Sequence, residues 1–225
     1  MSVASETIDW FADSTNWSGD YGVPHRLVQH LGYTSLTVVI AAVVAIPLGL
    51  WIGHTGRLRG LAVVMSGALR ALPTLGVVTY LGLFTGVNLT ATIVALVVLA
   101  VPPLLAGAYS GLEAVDRQTI DAARAMGMTE WQVLTKVEVP LALPIIVGGL
   151  RSATLQVVAT ATVAAYVGPG GLGRYLIDGL AVRDTPQVIA GSILVIALAL
   201  VLDAVFAAFQ RLASQGHRVA DPART

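Results

Sequence analysis

Long apolar runs, separated by short charged or glycine-rich breaks, set the pattern of this chain. Residues 1–25 are polar and acidic, with Glu6, Asp9, Asp13 and Asp20 interleaved with Trp10, Phe11, Trp17 and Tyr21. Aromatics among polar residues beside a span suit the membrane–water interface, and this segment is expected to anchor there. Between Leu27 and Gly56 there is no lysine, arginine or acid, and Leu36–Gly53 alone is long enough to cross ~30 Å of hydrocarbon. Gly49 and Gly53 within it form a GxxxG pair, a weak sign of close helix packing. Arg57 and Arg59 mark a loop, after which a second span is expected from Leu61 to Leu83, interrupted by Arg70 and Pro73. Residues 71–112 carry no charge and are too many for one helix. Thr85, Gly86, Asn88 and Thr90 supply a turn, leaving a third span over Ala91–Leu112, kinked at Pro102–Pro103. A fourth runs over Ile145–Val167 and is rich in small residues, among them Gly148, Gly149, Thr154 and Thr160; such faces pack tightly or line a narrow path. The cluster Gly168-Pro169-Gly170-Gly171-Leu172-Gly173 reads as a turn, followed by a polar segment through Arg183 and Asp184. A fifth span covers Val188–Phe209, and a basic tail follows. The pattern predicts an all-α integral membrane protein with about five transmembrane helices.

The most charged stretch between apolar flanks is Asp121–Pro144. Asp116 is placed to cap a helix in which Ile120, Ala123 and Met126 share one face. Gly127 stands where a helix C-cap needs positive φ. Thr129 and Gln132 form a capping box that starts a second helix, with Trp131, Leu134 and Val137 on its apolar side and Pro140 as its end. On spacing alone three readings stand open: an amphipathic helix on the bilayer surface, a small DNA-binding helix–turn–helix, or a docking element set between spans.

Composition and charge narrow these. Of 225 residues, 56% are hydrophobic and 12% charged, against ~25% charged in soluble domains. The net charge is zero, so there is no basic footprint for nucleic acid. Cysteine is absent, which removes disulfides and thiolate metal sites, and the N-terminus lacks the charged and apolar regions of a cleaved signal peptide. Five spans put the chain ends on opposite sides. With the Asp121–Pro144 loop inside, Arg57, Arg59, Arg117, Arg124, Lys136, Arg211, Arg218 and Arg224 are cytoplasmic, and only Arg26, Arg174 and Arg183 lie outside. The positive-inside rule favours that orientation.

The sequence carries no catalytic signature. The histidines, His25, His30, His54 and His217, are expected at or outside span ends, unable to act as base to Ser66. There is no HExxH and no phosphate-binding Gly-x-x-x-x-Gly-Lys. Energy for transport must then be borrowed from another chain or taken from an ion gradient, and Asp203 is the lone acid expected inside a span. Arg70 and Arg151 are costly in hydrocarbon. They are expected to snorkel to the interface, with a translocation path as the functional reading and pairing with Asp203 open to either.

Asp121, Ala122, Ala123, Gly127, Val137, Val139 and Pro140 fall in the register of the Glu-Ala-Ala…Gly…Ile-x-Leu-Pro loop of permease subunits in binding-protein-dependent ABC importers, with Asp for Glu and Val for Ile and Leu. Arg70-Ala71-Leu72-Pro73 and Gly170-Gly171-Leu172-Gly173 stand in the order seen in the small type I permeases. Tyr109–Leu112, Ala122–Thr129 and Val137–Pro144 most resemble the osmoprotectant branch, which takes glycine betaine, choline and carnitine; methionine or another amino acid is the alternative solute. A membrane scaffold and an ion-coupled carrier are the alternatives of other classes.

The resemblance implies a transporter subunit rather than an enzyme, in a bacterial cell membrane, with the N-terminus outside and the C-terminus in the cytoplasm. It implies an interfacial segment over 1–26, a permease domain over 27–213 with its coupling loop at 113–144, and a tail over 214–225. Asp121, Ala122, Ala123, Met126, Gly127, Met128, Val137 and Pro140 would couple to an ATPase. Arg70, Pro73, Thr154, Gln156, Thr160, Gly170 and Gly171 are the pathway or gate residues it suggests. Partners would be two cytoplasmic ATP-binding subunits, a second permease subunit (identical or paralogous), an extracytoplasmic substrate-binding protein and the lipid membrane, with no nucleic acid. No cofactor is expected in this chain and no metal; ATP and Mg would sit on the partner ATPase.

Overall fold

The structure, a computed structural model, describes residues 2–86, 88–168 and 170–215; Pro169 and the tail carrying His217, Arg218 and Arg224 fall outside them. Among the described residues every regular element is helical. In order these are α1 (Val3–Ala12), a 3-10 turn (Ser14–Trp17), α2 (Val23–Thr55), α3 (Arg59–Arg70), α4 (Thr74–Thr85), α5 (Leu89–Glu113) and α6 (Arg117–Ala125). Then come α7 (Glu130–Val133), a π-helical turn (Leu134–Glu138), α8 (Val139–Ala164), α9 (Gly173–Val182) and α10 (Thr185–Gln215).

α2, α5, the continuous run Glu130–Ala164 and α10 are each long and apolar enough to cross a bilayer. The expected second span is two helices of 12 residues, each about 18 Å long at 1.5 Å per residue, so only the bent pair together passes as a span. The reason is Pro73. It has no N–H to give and it disfavours helical backbone at Leu72, and it stands as the extended N-cap of α4. Pro102 and Pro103, where a kink was expected, lie inside an unbroken α5. The polar segment after the glycine cluster is itself a helix, α9.

The chain forms two compact units. The first gathers described residues of Met1–Ile40, Ala71–Ala100 and Thr154–Leu202. One core in it joins Val78 of α4, Ala95 and Leu96 of α5, and Ala161 and Ala164 of α8. Another joins Val23, Leu27 and Leu31 of α2 to Val158, Leu172, Tyr175 and Leu198. Trp10 meets Tyr175 edge-on at 5.4 Å between ring centroids, while Trp17 and Tyr21 stay exposed. Tyr175 closes the contact by donating its hydroxyl hydrogen to the Tyr21 carbonyl at 2.6 Å.

The second unit gathers Ala41–Arg70, Val101–Ala153 and the described residues from Asp203 onward. Its core joins Leu112 and Val115 to Ala142, flanked by Leu50, Ile120, Leu134 and Ile146. The GxxxG pair acts as expected: a Cβ on Gly49 would stand 2.6 Å from the Ala108 Cβ, and one on Gly53 would stand 2.8 Å from the Leu112 Cβ. α2 therefore approaches α5 more closely than any larger residue would allow.

Candidate functional site

The loop between α5 and α8 builds itself from local bonds. The Asp116 carboxylate accepts the Gln118 N–H at 3.3 Å and opens α6. α6 closes in a paired C-terminal motif: Met128 N–H reaches the Ala123 carbonyl at 3.3 Å and Gly127 N–H the Arg124 carbonyl at 2.9 Å. That geometry needs the φ of +83° that Gly127 adopts. Thr129 and Gln132 then form both halves of the capping box that opens α7. Arg124 spans the turn with a fork onto Glu130, at 2.9 and 3.0 Å. It sets a cation at the end of one helix and an anion at the start of the next, as the helix dipoles favour. The bond to Glu130 holds the Arg124 guanidinium above its ordinary pKa.

Pro140 does not end this element. It lies in the first turn of α8, and helix continues through it to Ala164. In an uninterrupted α-helix its ring would press on the carbonyl four residues back. Here the five residues before α8 widen into a π turn, in which Val139 N–H bonds the Leu134 carbonyl five residues back.

The apolar faces also differ from expectation. Ala123 is buried and Ile120 packs on the core, but Met126 is 77% exposed. In the second helix Val133 is buried and Leu134 packs, whereas Trp131 is 71% exposed. An outward surface results, carrying Asp121, Ala122, Met126, Gly127 and Trp131. Met128, Val137 and Pro140 are half-buried. Val137 and Pro140 belong to the π turn and α8 rather than to this surface.

Sequence reasoning missed what anchors the loop. Glu138, one acid in an apolar run, is 3% exposed and bonded to His54 Nδ1 at 2.5 Å. His54 Nε2 faces Glu130 at 3.3 Å. The end of α2 is thereby tied to both ends of the α7–π segment, and Arg59 ties the start of α3 to Glu113 at 2.9 Å. A buried acid with no partner in sequence was the signal for the first contact.

The residues suggested for the pathway fall on several different elements. Arg70 ends α3 and is exposed, and Pro73 caps α4. On α8, Thr154 is buried, Gln156 donates to the Leu99 carbonyl at 2.8 Å, and Thr160 donates to the Gln156 carbonyl of its own helix at 2.8 Å. Gly170 and Gly171 are buried in a turn held by α2: Gly171 N–H donates to Gln29 Oε1 at 3.0 Å. The next residue's N–H, Leu172, donates to His30 Nδ1 at 3.3 Å, while His30 Nε2–H donates to the Val158 carbonyl at 3.1 Å. His30 is thus a buried neutral imidazole within α2, not a residue at a span end. Arg151 makes the pairing with Asp203 that the sequence left open. Its guanidinium forks onto Asp203 at 2.6 and 2.7 Å. Among the described residues no group of His, Cys, Asp and Glu is arranged to hold a metal.

Comparison with known proteins bears on this geometry. The family described as binding-protein-dependent transport system inner membrane component matches residues 45–216. The glycine betaine/carnitine/choline transport system permease protein of Bacillus subtilis is 33% identical over 83% of this chain and 86% of its own. A carnitine transport permease protein of Listeria monocytogenes is 32% identical over 90% of this chain and 89% of its own. An osmoprotectant import permease protein of Salmonella typhimurium is 33% identical over 78% of this chain and 84% of its own. Among solved structures, the MetNI methionine ABC transporter in an inward-facing conformation aligns with a TM-score of 0.74 and 23% identity, over 82% of this chain and 92% of that one. At that identity the likeness concerns the fold.

Proposed function

The chain belongs to the binding-protein-dependent transport system inner membrane components, and from that premise we propose that it is the permease subunit of an ATP-driven importer for quaternary-ammonium osmoprotectants such as glycine betaine, carnitine and choline. The observation that carries the solute class is the agreement of relatives at 30–33% identity, spanning most of both chains, each named for one or more of these solutes or for osmoprotectant import. Methionine is less supported, because the methionine transporter is like this chain in fold alone.

The capped α6–α7 loop serves as the lever. Its local caps and its anchor on His54 hold its shape, and its outward surface of Asp121, Ala122, Met126 and Trp131 is free to enter a cleft on a cytoplasmic ATPase. Two such ATPases, holding ATP and Mg, would close and drive the loops of two permease subunits toward each other. A binding protein outside would deliver the solute. The distribution of arginine supports the loop facing the cytoplasm. Gly170, Gly171, Thr154 and Thr160 then act as supports of the spans rather than as solute contacts.

The test is ATP-dependent uptake in proteoliposomes holding this chain with its ATPase and binding protein. Met126→Asp and Asp121→Arg change exposed side chains, so insertion should persist while uptake falls at least about tenfold, the loss expected when a central contact of a docking surface is removed. Uptake of a quaternary ammonium solute that ignores both variants and ATP would overturn the importer reading. Uptake of methionine alone would keep the mechanism and change the solute.

A further inference from the structure

Arg151 and Asp203 are charges within the spans that this chain's own packing leaves partly uncovered. Arg151 lies midway along α8 and Asp203 beyond the middle of α10. Their side chains remain 32% and 34% exposed while forked onto each other. Charges at such positions face protein or a water-filled cavity, not lipid, and here the rest of the chain does not cover them. On α10, Asp203, Ala207 and Gln210 recur at helical spacing on one face, whereas Val201 and Val205 fall on the far side and are exposed. The polar face borders a cleft of about 420 Å³, lined by Pro144, Arg151, Ala207, Gln210 and Arg211. Gln210 donates to the Pro144 carbonyl at 3.0 Å, so its amide is held in place along the cleft wall.

We propose that the Arg151–Asp203 pair is a two-point contact on the translocation path for a zwitterionic solute, one that carries a carboxylate and a fixed cation. The reading rests on the importer function proposed above. In the empty path each charge satisfies the other, which avoids a lone ion among apolar residues. A zwitterion enters by exchange. Its carboxylate takes the planar Arg151 fork, and its ammonium, which has no hydrogen to donate, lies against the Asp203 carboxylate by charge alone. Every charge remains paired throughout. A solute bearing only a cation completes half of this exchange and leaves the Arg151 guanidinium without its counter-ion. The pair therefore favours glycine betaine and carnitine over choline at the permease, beyond whatever choice the binding protein makes.

The test uses the complete importer in proteoliposomes, with glycine betaine and choline as paired solutes. Arg151→Gln should cut glycine betaine uptake at least about tenfold, as expected for loss of a charge-assisted hydrogen bond, and choline uptake much less, so that the ratio of the two rates falls. Asp203→Asn should cut both. The double variant Arg151→Gln, Asp203→Asn retains an amide pair across the helices and guards against a failure of the single variants to insert. It should still transport glycine betaine at least about tenfold more slowly than the native chain. The proposal is overturned if the double variant transports glycine betaine within about twofold of native, or if all variants lower both solutes by the same factor. Native uptake of these solutes tests the importer reading, and the variant-to-native ratio tests the pair, so the two fail separately.

Discussion

The turns at Gly127 and at Gly171 both place glycine at positive φ, +83° and +85°, yet they are held by different kinds of bond. Around Gly127 the bonds that shape the turn are local, Asp116 to Gln118, Ala123 to Met128, Arg124 to Glu130 and Thr129 to Gln132, while His54 of α2 holds the segment after it through Glu130 and Glu138. Around Gly171 the contacts reach back 142 residues to Gln29 and His30, and Tyr175 reaches 154 residues to Tyr21. The Gly127 turn can hold its shape while its outer surface engages a partner. The Gly171 turn has its shape only while α2 stays beside it. The coupling role proposed for the loop would benefit from the first construction, and a fixed brace from the second.

That contrast is sharpest at His30. His30→Ala leaves the buried Leu172 N–H without an acceptor and opens a void in α2, so the folded state should lose about 2–4 kcal/mol. Thermal unfolding in detergent would read this, and His30→Gln, which keeps a donor and an acceptor, should recover part of it. If His30→Ala melts with the native chain, the long-range turn does not depend on α2. At the other turn, Gly127→Val forces a β-branched residue to positive φ for about 1–2 kcal/mol, although the space around a Cβ there is open. If the loop couples to an ATPase as proposed, the loss should be larger in uptake than in melting temperature, because the strain sits in the docking element. Thr129→Ala removes one half of the capping box and should cost about 1 kcal/mol. Faster amide exchange should then be confined to residues 129–133, and spreading into the spans would contradict a locally built loop. Arg124→Gln should be the mildest, with no resolvable change in melting, since exposed ion pairs contribute little.

What the sequence disclosed follows the same division. Asp116, Gly127 and the Thr129–Gln132 box were readable because cap chemistry is local, and Gly49 and Gly53 were readable because close packing admits few residue types. Pro140 was misread as a stop because nothing in residues 134–138 announces a π turn. Met126 and Trp131 were placed inward by periodicity, which does not distinguish a face that awaits a partner from one already covered. The contacts of Arg151 with Asp203, 52 residues apart, and of His54 with Glu138, 84 residues apart, depend on which helices become neighbours. No short window of sequence contains that information.

The π turn between α7 and α8 has a mechanical meaning. Each such turn adds one residue to the helical count, and in a regular helix one residue corresponds to about 100° of rotation. The angular offset between the loop and the span that follows it is therefore written into Leu134–Glu138. Removing a single residue there would restore an ordinary helix and turn the loop like a key relative to its shaft, with every side chain of the loop intact but aimed elsewhere.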